Sequence, residues 1–312
     1  MSRIVVALGG NALGTTPASQ LEHIRAVAPA IISMITAEDE IILTHGNGPQ
    51  VGAVSRAFGL ASRVDEGVPG MPLPEATAMS QGYIGYHLQQ QLQAEVTRLG
   101  KPWHVATVVT QVLVDPDDPA FADPTKPIGA FLSRSEAEAL AAAHPGMVVR
   151  EDAGRGWRRA VASPRPRSIV EWESILNLLD SDFIVVACGG GGIPVVRGAD
   201  GRLRGVEAVV DKDYCAGLLA EAVGADTLLV LTAVDAVHLG WGTPRDREVA
   251  DLPVSLALEM VAAGEFAEGS MLPKVRAAVD FVRGGPGRRA LICSAARATE
   301  ALAGRAGTLI HA

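Results

Sequence analysis

The chain predicts an α/β fold built on a mostly parallel sheet, and three observations carry that prediction. Short apolar runs alternate with longer segments of helical periodicity, the pattern of repeated βαβ units. Three of those runs end in glycine-rich turns: Leu8-Gly9-Gly10-Asn11, His45-Gly46-Asn47-Gly48 and Gly189–Gly192. The interior must be aliphatic, because 48% of residues are hydrophobic and only 4% are aromatic. At 312 residues the length alone suggests about two domains, although open α/β folds of this size often form one unit with two lobes.

Taken in order, Ile4–Leu8 reads as a strand ending in the first glycine turn. Helix is expected over Ser19–Thr36, bent or divided near Pro29, since proline removes a helical donor. Glu40–Thr44 is the next strand, Glu75–Leu99 a long helix and Trp103–Val109 another strand. From Asp115 to Pro166 the texture changes to Pro, Asp, Gly and Arg, interrupted by a short helix (Ser133–Ala143) and a strand (Met147–Glu151). An excursion of about fifty residues exceeds an ordinary βα connection, so it reads as an inserted lid or subdomain. Helix resumes at Ser168–Leu179, strand Phe183–Ala187 enters the third glycine turn, and Gly198–Arg204 is a hairpin turn.

Val209 and Val210 read as the end of a buried strand, and Asp213 as the N-cap of a helix whose apolar positions include Leu218, Leu219, Ala222 and Val223. Strand Thr227–Leu231, helices Leu252–Ala263 and Pro273–Arg283, and strands Ala290–Cys293 and Thr308–Ile310 complete the chain.

A net charge of −8 and a pI near 5.4 argue against a nucleic-acid or anionic-membrane partner. No apolar run approaches the ~18 residues needed to span a bilayer. Gly9-Gly10-Asn11 breaks the apolar start too early for a secretory signal, so a cytoplasmic protein is expected. Cys188, Cys215 and Cys293 lie in or beside apolar stretches without CxxC spacing and read as small buried hydrophobes. The histidines show no metal-ligand spacing.

Lysine usage points to a site. Only Lys101, Lys126, Lys212 and Lys274 stand against twenty-three arginines. Three of the four lie in Gly/Pro/Asp-rich turns, where a compact ammonium rather than a planar fork suits the geometry. Lys212 sits between Asp211 and Asp213 at a helix start, the positive end of the dipole, where a bound anion would relieve it. In a parallel sheet the three glycine turns converge on one crevice, their N–H groups available to anionic oxygens. Neither a P-loop nor a GxGxxG fingerprint is present: Thr15 stands where the P-loop needs Lys, and Gly46–Gly52 is one residue too long. Cationic charge must come from lysines distant in sequence. Phosphoryl transfer, which is mostly positioning and electrostatics, fits that inventory.

The blocks Ala7–Leu13, Thr44–Gly52, Ser80–Tyr86, Thr125–Gly129, Gly189–Pro194, Asp211–Asp213 and Gly269–Lys274 together resemble carbamate kinase, a branch of the amino acid kinase family. The Thr-Lys-Pro-Ile-Gly, Gly-Arg-Gly-Trp-Arg-Arg and Ser-Gln-Gly-Tyr blocks look specific to that branch. The resemblance implies transfer between ATP and carbamate to give ADP and carbamoyl phosphate, with Mg²⁺. The family typically runs it towards ATP synthesis, in arginine or agmatine breakdown. It also implies a three-layer αβα sandwich with about eight strands and a homodimer. One domain over residues 1–312 is expected, with the carbamate side at about 1–180, the nucleotide side at about 181–312, and residues 115–166 protruding.

Carried over by motif, Lys212 and Lys274 contact the transferring phosphoryl group, Asp213 orients them, and Lys126 reaches in from the protruding segment. Gly9, Gly10, Asn11, Gly46, Asn47 and Gly48 hold carbamate. Asp211, Gly190, Gly191, Ala233, Val234, Asp235 and Met271 belong to the nucleotide side. Carbamate attacks through an oxygen already anionic, so no general base is assigned, and His45 reads as structural. Departures from the family pattern are Ala130 in place of a proline, Leu239-Gly240-Trp241 in place of a more polar segment, and Ala162 and Arg165 at the exit of the excursion. Two alternatives remain: a related kinase acting on a carboxylate or nucleoside monophosphate, and a non-catalytic nucleotide sensor.

Overall fold

The computed structural model describes every residue except 1, 10–12, 15, 36–38, 145 and 153. Among the described residues the main sheet has eight strands, ordered Asp251–Pro253, Thr308–His311, Arg289–Ser294, Thr227–Thr232, Ser2–Leu8, Asp39–His45, Phe183–Val186 and His104–Thr107. Every neighbouring pair is parallel except Arg289–Ser294 with Thr308–His311. The expected α/β class and strand number therefore hold.

Both faces of the sheet are buried, so its strands are apolar throughout and alternate residues enter different cores. Val5, Ala7, Leu228 and Val230 join one core, packed by the helices Trp172–Leu179, Lys212–Ala222, Val254–Ala262 and Met271–Arg283. Ile4, Val6, Leu229 and Leu231 join the other, under Pro17–Ser33, Leu73–Arg98 and Ala298–Leu302. Three layers follow directly.

Residues 126–161 form a separate antiparallel sheet, ordered Lys126–Leu132, Trp157–Val161 and Val148–Glu151, with helix Arg134–Ala143. A second sheet of four strands, Leu203–Gly205, Ile193–Arg197, Gln111–Val114 and Pro166–Ile169, stands at its base. Several expectations need correcting. Pro29 does not divide its helix, which runs unbroken over Pro17–Ser33; Pro29 faces solvent, where water can take the carbonyl it frees. Helix Gly48–Val64 was hidden by its glycines. One of them, Gly52, is a close-approach residue, because a Cβ there would collide with the backbone of Gly129 in the three-stranded sheet. Ser168 belongs to a strand paired with Leu113, and its helix starts only at Trp172. Leu252 likewise is strand, with helix from Val254. Val209 and Val210 are buried but outside any strand; only Ala208 bridges, to Ala162. Their apolarity reflects burial between two cores, not a ladder.

Candidate active site

Four parallel strands deliver their carboxyl ends to one edge of the main sheet, and the turns after them interlock there. Gly9 N–H donates to the Leu231 carbonyl (3.1 Å) and Gly46 N–H to the Leu8 carbonyl (3.2 Å). Behind the third turn, Thr44 Oγ1–H donates to the Cys188 carbonyl (2.9 Å), and Cys188 N–H donates to Thr110 Oγ1 (3.0 Å). Cys188 is thereby held at φ 52°, a left-handed conformation rare for a non-glycine residue. The turns border a cleft of about 1240 Å³ between the main sheet and the three-stranded sheet.

Three lysines from distant segments meet in that cleft. Lys212 is the first residue of helix Lys212–Ala222, and its Nζ lies 2.5 Å from Asp213 Oδ1. Lys274, in the first turn of Met271–Arg283, places Nζ 3.1 Å from Asp213 Oδ2 and 3.1 Å from the Ser270 carbonyl. Asp213, 4% exposed, thus spans two ammonium groups with its two oxygens. Lys126, the first residue of strand Lys126–Leu132, pairs with Asp211 Oδ2. The N-cap is Asp211, not Asp213: its Oδ1 accepts the Asp213 N–H (2.9 Å). Capping two residues earlier than the sequence suggested leaves both oxygens of Asp213 for the lysines.

The electrostatics of this cluster are asymmetric. Burial opposes charge on Lys126 and Asp211 alike, but their mutual attraction outweighs it. The ammonium is held above its ordinary value and the carboxyl well below. Lys212 moves the other way: burial chiefly, with repulsion from Lys274, drives its ammonium down despite Asp213. Three lysines share two aspartates, and both Lys212 and Lys274 stand at positive helix ends. The cluster is short of negative charge, which a bound anion would supply. His45 is buried and neutral; burial above all lowers it to about 4. Its Nδ1 approaches the Gly46 carbonyl (3.1 Å), and its ring packs where a Cβ of Gly189 would stand.

Of the site residues expected from sequence, Gly9, Gly46, Asn47, Gly48, Lys126, Gly190, Asp211, Lys212, Asp213, Ala233, Val234, Met271 and Lys274 all border the cleft. Gly191 instead packs on the Val210 backbone, and Asp235 is exposed outside the cleft. Gly10 and Asn11 lie outside the described residues.

The amino acid kinase family model matches residues 2–294. The chain belongs to the amino acid kinase family. A carbamate kinase of Clostridium perfringens is 47% identical over 313 residues, covering 99% of both chains. The carbamate kinase-like protein YqeA of Escherichia coli is 47% identical over 308 residues, covering 99% of this chain and 98% of its own. Among solved structures, carbamate kinase from Giardia lamblia bound to citric acid superposes with a TM-score of 0.92 at 41% identity, covering 99% of this chain and 98% of that one. The same enzyme bound to AMP-PNP gives 0.89. With relatives at this identity over the whole chain, the protein is a phosphotransferase.

Sequence reasoning missed part of the cleft wall. Arg56, Phe131 and Asp152 border it, beside Trp241 of the segment that departs from the family pattern. Arg158 Nη1 holds Asp152 at 3.1 Å, and Arg155 and Arg158 stack on Phe131 at 4.9 and 5.1 Å. These are contacts within residues 131–158, and a sequence read as Pro/Gly/Arg-rich texture gave them no periodic signal. Gln81, in the Ser80–Tyr86 block, is buried against the third turn: its Nε2 donates to the carbonyls of Gly189 (2.9 Å) and Thr110 (3.1 Å).

Proposed function

We propose that this chain is a carbamate kinase, catalysing reversible phosphoryl transfer between ATP and carbamate to give ADP and carbamoyl phosphate. The observation that carries the reading is Asp213 bridging Lys212 and Lys274 at the edge where the glycine turns meet. In this reading the two ammonium groups sit against the phosphoryl oxygens, where charge spreads in the transition state. Asp213 fixes their separation. Backbone N–H groups of the first two glycine turns hold carbamate, and Ala233, Val234 and Met271 border the nucleotide. Carbamate is already anionic, so no proton need be removed; neutral His45 and the lysine-bound Asp211 and Asp213 fit that economy.

Lys126 would latch residues 115–166 over the cleft through Asp211, which makes that segment a lid on a single kinase domain. Among the described residues no group of His, Cys, Asp or Glu is arranged to hold a metal. Both site aspartates are engaged by lysines. Mg²⁺ accordingly belongs to the nucleotide in this mechanism, and no step runs through a protein-held ion.

The proposal extends to ATP synthesis in arginine or agmatine catabolism as the working direction, to a homodimer and to a cytoplasmic location. Among the described residues no helix is long and apolar enough to cross a membrane. ATP formation from ADP and carbamoyl phosphate tests the activity, run beside acetylglutamate and UMP as acceptors from ATP. Turnover with either acceptor and none with carbamoyl phosphate overturns the reading.

A further inference from the structure

The Ser80-Gln81 pair is buried inside helix Leu73–Arg98, away from the lysines, and its hydrogen bonds run to the glycine turns. Ser80 has one hydroxyl proton, which it donates to the Thr77 carbonyl (2.7 Å). Its oxygen therefore faces Asn47 as an acceptor and receives Nδ2–H at 2.8 Å. Asn47 is the N-cap residue of helix Gly48–Val64, yet its side chain makes no capping bond. Asparagine is among the best N-caps, so a local preference is being overridden. The carboxamide lies instead over the third turn, in the space a Cβ of Gly190 would need. Among the described residues, the first-turn N–H groups of Gly48 and Gln50, which no helical carbonyl can reach, receive no cap from Asn47, and Gly48 borders the cleft.

We infer that Ser80 is a positioning residue: by holding the Asn47 side chain off its own helix, it reserves that N-terminus for the anionic substrate. The inference deepens the proposed function and rests on carbamoyl phosphate as that substrate. Without the Ser80 oxygen, the Asn47 carboxamide loses its acceptor and turns towards the Gln50 N–H, a competitor built into the chain. The anion must then displace a cap, and its affinity falls on the scale of one capping bond, about fivefold.

The test compares wild type, Ser80→Ala and Ser80→Thr. Ser80→Ala should raise KM for carbamoyl phosphate about fivefold, leave KM for ADP unchanged and keep the melting temperature at or above wild type. Ser80→Thr, which keeps the hydroxyl, should restore KM. A merely structural serine would lower the melting temperature and move both KM values together; that result, or an unchanged KM for carbamoyl phosphate, overturns the inference. Should Ser80→Ala fail to fold, Ser80→Cys keeps the volume with a poor acceptor and must show the same KM split. Calorimetric titration with inorganic phosphate runs alongside as an anion probe independent of turnover. If wild type does not turn over carbamoyl phosphate, the substrate reading fails, and phosphate decides on Ser80. Weaker binding to Ser80→Ala supports the positioning role; equal binding, or none to wild type, overturns it.

Discussion

His45 makes the stability of this protein depend on pH in a way that can be calculated. The imidazole ends strand Asp39–His45, with its ring against Gly189. Burial is the main cause that takes it from 6.5 to about 4; the Gly46 carbonyl opposes the shift and the Lys212 ammonium adds to it. The unfolded chain therefore binds a proton through a range where the folded chain does not. At about 1.4 kcal/mol per pH unit, the gap between 6.5 and about 4 is worth about 3 kcal/mol. That stability is complete above pH 6.5 and is lost as pH falls towards about 4. Urea unfolding across this range, for wild type and His45→Gln, isolates the contribution from His87, which burial also lowers. Wild type should lose about 3 kcal/mol more than the variant on acidification. Parallel curves would show that the ring is protonated, or solvated, in the folded state.

Three further outcomes follow from the cluster. Lys212→Ala and Lys274→Ala should each lower kcat about 10²-fold or more, the scale of removing one preorganised charge-stabilising group; near-normal turnover in either defeats the mechanism. Asp213→Asn removes the carboxylate that opposes the downward push on Lys212. Its kcat should be low and should fall further as pH rises through a range where wild type is flat. A collapse in melting temperature would instead make Asp213 a structural residue. Gly190→Ala meets both a left-handed φ of 69° and the Asn47 carboxamide. It should cost about 1–3 kcal/mol and raise KM for carbamoyl phosphate; a variant with native stability and KM would mean the two turns do not interlock.

The glycines show what local sequence can and cannot say. Gly189–Gly192 read as a turn, and Gly190, Gly191 and Gly192 all have positive φ. Gly52, which sequence placed at the end of a failed GxGxxG match, lies inside a helix and lacks a side chain because Gly129, 77 residues away, passes against it. Nothing local distinguishes a glycine kept for its φ from one kept for a neighbour's backbone. The same holds for polar residues. Ser80 and Gln81 on a long helix carry no sign of the turns they support, since their partners Asn47, Thr110 and Gly189 come from loops distant in sequence.

Sequence alone determined the alternation of apolar runs and helices, hence the layered sheet, because burial on both faces demands apolar strands with a 2-residue period in which core each side chain enters. It also marked Lys126, Lys212 and Lys274 as unusual by their scarcity. Tertiary structure decided which carboxylate each lysine meets. Asp211 took the cap and Lys126, and Asp213 took Lys212 and Lys274. That choice depends on where two helices and a strand start in space. Ion pairing is a matter of a few ångströms between groups as much as 85 residues apart, and no local pattern encodes that distance.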